Sequence, residues 1–423
     1  MTTTDVTRYL LPCAASFRCL DRFSILDDLV ELEDADGQVP FWPLLTTLLR
    51  SSMETPPQLA ELLDTIAVTL RGSSGPARDY QLLKSFINDL QPADQTACLV
   101  VHQFLCTLRA PVWREDFFDF SIWYTSGQRH EQSCRTYLAC LFTYLKTFLD
   151  TPESILEDRN IQYTLVTAKP DFAAIGSSPV PLCPIEIVVV DNYQTCPAQL
   201  GMPSGAAVNS ANRYVGFEQS ATQEEVHVGN SPEIYPAVLV IPPLGGKQVL
   251  AIRGAEVVLN IAGKRREIKA AAHEVGGSVD WCQRTMLFMD ALELDVEGDE
   301  NGLPDLAPQN LIRDLNKATI AFSSGLYEVV HRDPFVKVLL LWCAASVAHT
   351  SLKIICDRDS QEAAFNLHSL IAAARKRHET AQSLIELLQS IPQKTARLAT
   401  FDCMIEQLSL SATDMLSPYP QSC

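Results

Sequence analysis

The sequence predicts an α/β protein of three layers, a mixed sheet flanked by helices, with a helical region in front of it. Two observations carry this expectation. From Ile161 onward, short runs rich in β-branched residues alternate with helical runs, the pattern of strands covered by helices on both faces. Before that point, from Phe41 to about Leu149, apolar residues recur at three- and four-residue spacings. The 423 residues suffice for two or three domains. The boundaries predicted are an N-terminal arm and helical region over 1–155, an α/β domain over 156–412 and a tail over 413–423.

The elements follow in chain order. Residues 1 to about 40 read as an irregular arm, followed by helical runs at Phe41–Leu49 and Leu59–Leu70. Asp94 is a candidate N-cap for the run Ala97–Leu108, which is apolar nearly all round and so suits a buried helix. A further helix is predicted over Cys134–Leu149. The aromatic stretch Phe117–Tyr124 between them could stack on a base, but the area aromatics bury makes core anchoring the better expectation. Ile161–Val166 alternates as a half-buried strand does, and Ile185–Val190, Val238–Ile241, Val249–Ile252 and Thr285–Met289 are further strand candidates. Asn310–Phe322 and Pro334–His349 read as helices, Leu352–Asp357 as a strand, and Gln361–Ala374 and Thr380–Leu388 as the last helices.

Composition narrows the function classes. An apolar content of 47% with 20% charged residues describes a folded globular chain. The net charge of −18 opposes nucleic acid and anionic membranes, so a polyanionic ligand would have to be gripped locally. Neither direct nucleic-acid binding nor membrane association is expected. Thirteen cysteines occur without a Cys-x-x-Cys pair, and the eight histidines show no metal-ligand spacing, so no metal is expected. The longest apolar run, near Val336–Val347, contains Lys337 and is too short for a membrane span. With no secretory signal at the Met1 end, the expected home is the nucleus or cytoplasm.

Chemistry concentrates in residues 205–225. A short apolar run (Ala206–Val208) leads into Asn209 and Asn212, then a turn with Gly216, then Gln223-Glu224-Glu225. Loops beyond strand ends are where α/β folds bind ligands. Adjacent carboxylates that are buried together hold a proton at neutral pH, which a glycosidic leaving group requires. A solvated acidic turn is the plainer alternative. The amides of Asn209 and Asn212 suit a ribose or an adenine edge, and equally suit turns. Lys264-Arg265-Arg266 with Lys269 is the densest basic patch, fit for phosphate or for an ordinary exposed turn.

Residue order adds to this. Asn212-Arg213-Tyr214-Val215-Gly216 followed by Gln223-Glu224-Glu225 resembles the signature of poly(ADP-ribose) glycohydrolases. The similarity continues through Ile252–Glu256, Met289–Leu292 and Arg313–Ala318, and upstream through Phe104–Thr107 and Asp119-Phe120. The resemblance implies a three-layer macrodomain-like mixed sheet flanked by helices, with an N-terminal helical accessory region. It also implies cleavage of ribose–ribose bonds in poly(ADP-ribose), or action on ADP-ribose carried by modified proteins, without a cofactor. Glu225 would be the acid, Glu224 would hold the distal ribose hydroxyls, Asn212 would contact that ribose, and Gln223 would fix the loop.

Four positions depart from the family pattern. Gly216-Phe217-Glu218 stands where the family has three glycines whose N–H groups approach the diphosphate. Asn209 occupies the place of an aspartate that takes part in adenine recognition. Lys264 falls near a tyrosine that packs on the ligand. Leu326–Arg332 replaces a second glycine-rich phosphate loop, with Arg332 and Lys264 as the cations that could compensate. An ADP-ribose-binding protein without turnover, or a scaffold, therefore stands as the alternative to a hydrolase.

Overall fold

The computed structural model describes residues 90–104, 111, 113–114, 118–124, 130–151, 159–167, 178–216, 218–263, 267–271, 279–292, 306–325, 328–332, 336–392 and 397–414. The expected arm, the helices at Phe41–Leu49 and Leu59–Leu70, and the end of the tail lie outside these residues.

Eight strands form one mixed sheet: β1 (Leu90–Pro92), β2 (Asn160–Thr167), β3 (Ile185–Val190), β4 (Gly205–Ala211), β5 (Gln248–Arg253), β8 (Thr285–Asp290), β9 (Glu328–His331) and β10 (Leu352–Asp357). A separate hairpin joins β6 (Asn260–Ala262) to β7 (Lys269–Ala271). The order across the large sheet is β1-β2-β5-β8-β4-β9-β10-β3. From β8 to β3 all neighbours are parallel, while β5, β2 and β1 continue the sheet antiparallel. The carboxyl ends of β4, β8, β9 and β10 therefore open on the same edge.

The helices are α1 (Ala93–Phe104), α2 (Ser121–Tyr124), α3 (Glu131–Asp150), α4 (Gln223–Gly229), α5 (Ala237–Val240), α6 (Pro308–Phe322), α7 (Lys337–Val347), α8 (Gln361–Lys376), α9 (Ala381–Ser390) and α10 (Arg397–Asp414). They cover both faces. In β4, Ala207 and Ala211 join one core with residues of α1, α3 and α4, while Ala206 and Val208 join a second core with α6 to α10. A strand buried on both faces reads as a continuous apolar run, which is how Ala206–Val208 reads. Pro308 starts α6 with its fixed φ, and Thr380 caps α9 through a reciprocal pair with Ser383. Gly254 has φ +89°, and a Cβ there would lie 2.4 Å from the Asn160 carbonyl, so the turn after β5 requires glycine.

Four expectations need correction. Gln361–Ala374 and Thr380–Leu388 are not the last helices, because α10 follows at Arg397–Asp414. Val238–Ile241 is not a strand: Ala237–Val240 forms a helical turn after Pro232 and Pro236, buried throughout. The two prolines set φ for tight turns, and packing overrides the β preference of valine. Glu328–His331, expected to be loop, is a strand between β4 and β10, with Val329 and Val330 buried. It is too short to show a period. Finally, α1 begins at Ala93 rather than after Asp94, because β1 feeds straight into it and Ala93 N–H bonds the Arg159 carbonyl at 3.1 Å. The aromatic stretch anchors a core: Phe120 and Trp123 stack at 4.9 Å and both meet Tyr235 edge-on.

One buried carboxylate ties the front helices to the sheet. Glu233 is fully buried and pairs with Arg159, accepts Tyr144 Oη–H at 3.4 Å and accepts Glu256 N–H at 2.9 Å. Its carbonyl accepts from the Tyr163 hydroxyl. Without Glu233, Arg159 still meets Glu256 at 3.1 Å, but the buried hydroxyl of Tyr144 and the Glu256 N–H lose their acceptor. Glu233→Ala should therefore lower unfolding free energy by about 1–3 kcal/mol, read as a shifted urea midpoint at unchanged slope.

Candidate active site

β4 ends at Ala211 and the chain turns through residues 212–222 into α4. Thr222 caps that helix. Its hydroxyl accepts Glu225 N–H at 3.3 Å, and the Glu225 carboxylate reaches back to Thr222 N–H at 3.2 Å. This reciprocal capping box fixes the side chain of Glu225 before any ligand is considered.

Glu224 is turned the other way, into the loop. Its Oε2 accepts Asn212 N–H at 2.6 Å and its Oε1 accepts Gly216 N–H at 3.0 Å. Both carboxyls are buried, at 7% and 6% exposure, so the pair is not a solvated turn. Burial pushes Glu224 up to about 8, opposed by those two amide bonds, and pushes Glu225 up to about 7. Taken alone, the order of those values would put the first proton on Glu224. Each Glu224 oxygen accepts one backbone N–H, which favours the charged form without excluding a proton on a remaining lone pair. Glu225 receives the Thr222 N–H on Oε2, and a backbone hydrogen bond from Ala221 also favours its charged form. Both carboxyls are thus buried and bonded to loop backbone, by different partners.

The remaining expected residues fall in different places. Asn212 is exposed, and its Oδ1 accepts Tyr214 N–H at 3.0 Å in a local turn. Gln223 is half-buried in the first turn of α4. Asn209 lies in the middle of β4 opposite Phe288, fully buried, its amide oxygen and nitrogen both without a hydrogen-bond partner. Gly216 is buried, and a Cβ on it would lie 2.3 Å from Nη2 of Arg114. Arg332 is buried after β9, where it donates to the Gln194 carbonyl and lies over the Tyr193 ring. Phe217 and Lys264 lie outside the described residues.

Several residues that sequence reasoning passed over belong here. Thr222 was legible, since Thr222-x-x-Glu225 is a capping-box spacing. Arg114, Trp123 and Tyr137 were not, because they reach the loop and α4 from distant sequence. Tyr137 packs on Gly229, where a Cβ would lie 2.2 Å from its ring, and the charge of Glu225 helps raise its hydroxyl pKa. At the carboxyl edge of the sheet, Asp290 pairs with Arg313 and Lys317, and Lys337 donates to Ser210 Oγ at 3.1 Å. Burial, with smaller contributions from Lys337 and Arg213, lowers Lys317 to about 8.

The raised acids have a consequence for stability. Their folded values exceed the ordinary 4.5, so the native state keeps protons that the unfolded chain has lost. That contribution is complete below about pH 4.5 and disappears as the pH rises through 7 and 8. Glu225→Gln removes one titration and keeps the capping box, since glutamine also serves at that position. Between pH 5 and pH 8 it should gain on the order of 2 kcal/mol relative to the unsubstituted protein in urea denaturation.

Comparison with known proteins agrees with this geometry. A search of curated proteins finds no match to the chain. The family model described as poly (ADP-ribose) glycohydrolase (PARG), macro domain fold, matches residues 188–364. That segment holds β4, the acid loop, α4 and the strands that flank them, and over it the chain is similar to the poly(ADP-ribose) glycohydrolase family.

Proposed function

We propose that the protein hydrolyses the ribose–ribose O-glycosidic bonds of poly(ADP-ribose), with Glu225 as acid and then base. The observation that carries this reading is a pair of adjacent buried carboxyls whose pKa values burial raises towards neutrality, in the segment that matches the family. In the first step, the Glu225 carboxyl gives its proton to the leaving ribose oxygen as the anomeric C–O bond breaks. The positive charge left on the anomeric carbon and ring oxygen is met by Glu224. Water then attacks that carbon and returns its proton to Glu225, leaving a free hydroxyl on each fragment. Glu224 keeps unused lone pairs on both oxygens, so it can accept ribose O–H groups while it holds the loop. Asn212 is exposed beside it and is placed to contact the same ribose.

The diphosphate needs neutralisation without the family's glycine loops. Lys317, Lys337 and Arg213 supply positive charge around the ends of β4 and β8. The unpaired amide of Asn209 offers a donor and an acceptor, which an adenine edge matches. A ligand reaches it only when the enclosing loop opens, because Asn209 is fully buried.

A second reading, an ADP-ribose-binding protein without turnover, is favoured by one observation. Where the family has glycine N–H donors, Glu328–His331 runs as a strand and Arg332 is bonded to Gln194. Pure protein incubated with poly(ADP-ribose) separates the two. The hydrolase releases ADP-ribose, Glu225→Gln lowers release by about 100-fold or more, and the rate falls as pH rises past about 7. Calorimetric binding without release selects the second reading, and absence of both sinks the two together. Asn209→Val tests the amide. It should raise stability by about 1–2 kcal/mol by removing unpaired buried groups, while weakening ADP-ribose binding.

A further inference from the structure

The family match begins at residue 188, yet the acid loop is held from well before it. Arg114 is buried and donates through Nη1 to the Val215 carbonyl at 2.8 Å and through Nη2 to the Tyr214 carbonyl at 3.4 Å. Trp123 Nε1 donates to the Glu218 carbonyl at 3.0 Å, and Gln219 donates back to the Ile122 carbonyl at 2.6 Å. Loop carbonyls are thus taken by the front region, while loop amides at Asn212 and Gly216 are taken by Glu224.

The Val215–Gly216 peptide is the join. Its carbonyl accepts from Arg114 and its N–H donates to Glu224, so one peptide unit links a buried cation to a buried carboxylate. Hydrogen bonds in series polarise one another in a low-dielectric interior, and each strengthens its neighbour. Gly216 has a specific reason to be glycine: only a residue without Cβ lets the guanidinium lie against this peptide. The charged groups acting on Glu224 are Glu225 on its own helix and Arg114 from the front region.

We propose that Arg114 is a positioning residue for the carboxylate pair, acting through the Val215–Gly216 peptide to aim that N–H at Glu224. Its part in turnover rests on the hydrolase reading above. Its grip on the loop does not.

The test compares Arg114→Met, which keeps length but loses charge and donors, with Arg114→Lys, which keeps charge but not the paired fork. In Arg114→Met, the Gly216 amide should exchange about tenfold faster or more, and the Glu224 titration read by carboxyl NMR should move upward. The turnover number on poly(ADP-ribose) should fall about 10- to 100-fold with little change in KM. Arg114→Lys should restore the titration but not the amide protection. A folded Arg114→Met protein with unaltered exchange and titration overturns the proposal. Gly216→Ala provides an independent arm: it should destabilise the Arg114→Met background less than the parent, and strictly additive effects count against the proposal. Should the parent protein fail to hydrolyse the polymer, the hydrolase reading falls, while exchange, titration and additivity still decide the role of Arg114.

Discussion

A carboxyl buried inside a protein needs hydrogen bonds in place of its water, and Glu224 obtains them from two backbone amides of the loop it closes. This constraint organises the site. It fixes the distance from the end of β4 to the first turn of α4, since Asn212 and Gly216 must both point at one side chain. It leaves Glu225 facing the opposite way, tied to Thr222. It also turns the loop carbonyls outward, where Arg114 takes two of them. Adjacent residues on one short helix are in this way placed in unlike surroundings.

That difference distinguishes two identical side chains. Burial raises both pKa values. The bonds differ: Glu224 accepts from the amides of Asn212 and Gly216, whereas Glu225 accepts from Thr222. A pair that holds one proton between two unlike environments can deliver it at near-neutral pH, which is the requirement for expelling a sugar oxygen. At the sheet edge, Lys317 and Arg313 are paired with Asp290, and Lys337 donates to Ser210.

The front region contributes to both fold and site. Glu233 joins it to the sheet through Arg159, Tyr144 and Tyr163, and the Trp123 cluster packs on Tyr235. The same region presents Arg114 and Trp123 to the acid loop. The segment matching the family contains the carboxylates, while part of the support that orients them comes from outside it.

Local pattern was enough for much of this. Ile185–Val190 and Leu352–Asp357 occupy the strands their β-branched runs predicted, and α6, α8 and α9 fall where apolar spacing placed them. The carboxylate pair was legible because Gln223-Glu224-Glu225 is a contiguous motif following a strand. Sequence could not supply what depends on partners distant in the chain. Val238–Ile241 has the composition of a strand and becomes a helical turn, because prolines and complete burial outweigh a propensity of under about 1 kcal/mol per residue. Glu328–His331 becomes a strand because β4 and β10 leave a gap that its backbone fills. Sequence by itself determined the layered α/β class and the acidic residues of the site. Tertiary structure decided the surroundings of the two carboxyls, because a pKa is set by burial and by hydrogen bonds, and those come from Asn212, Gly216, Thr222 and, through one peptide, Arg114.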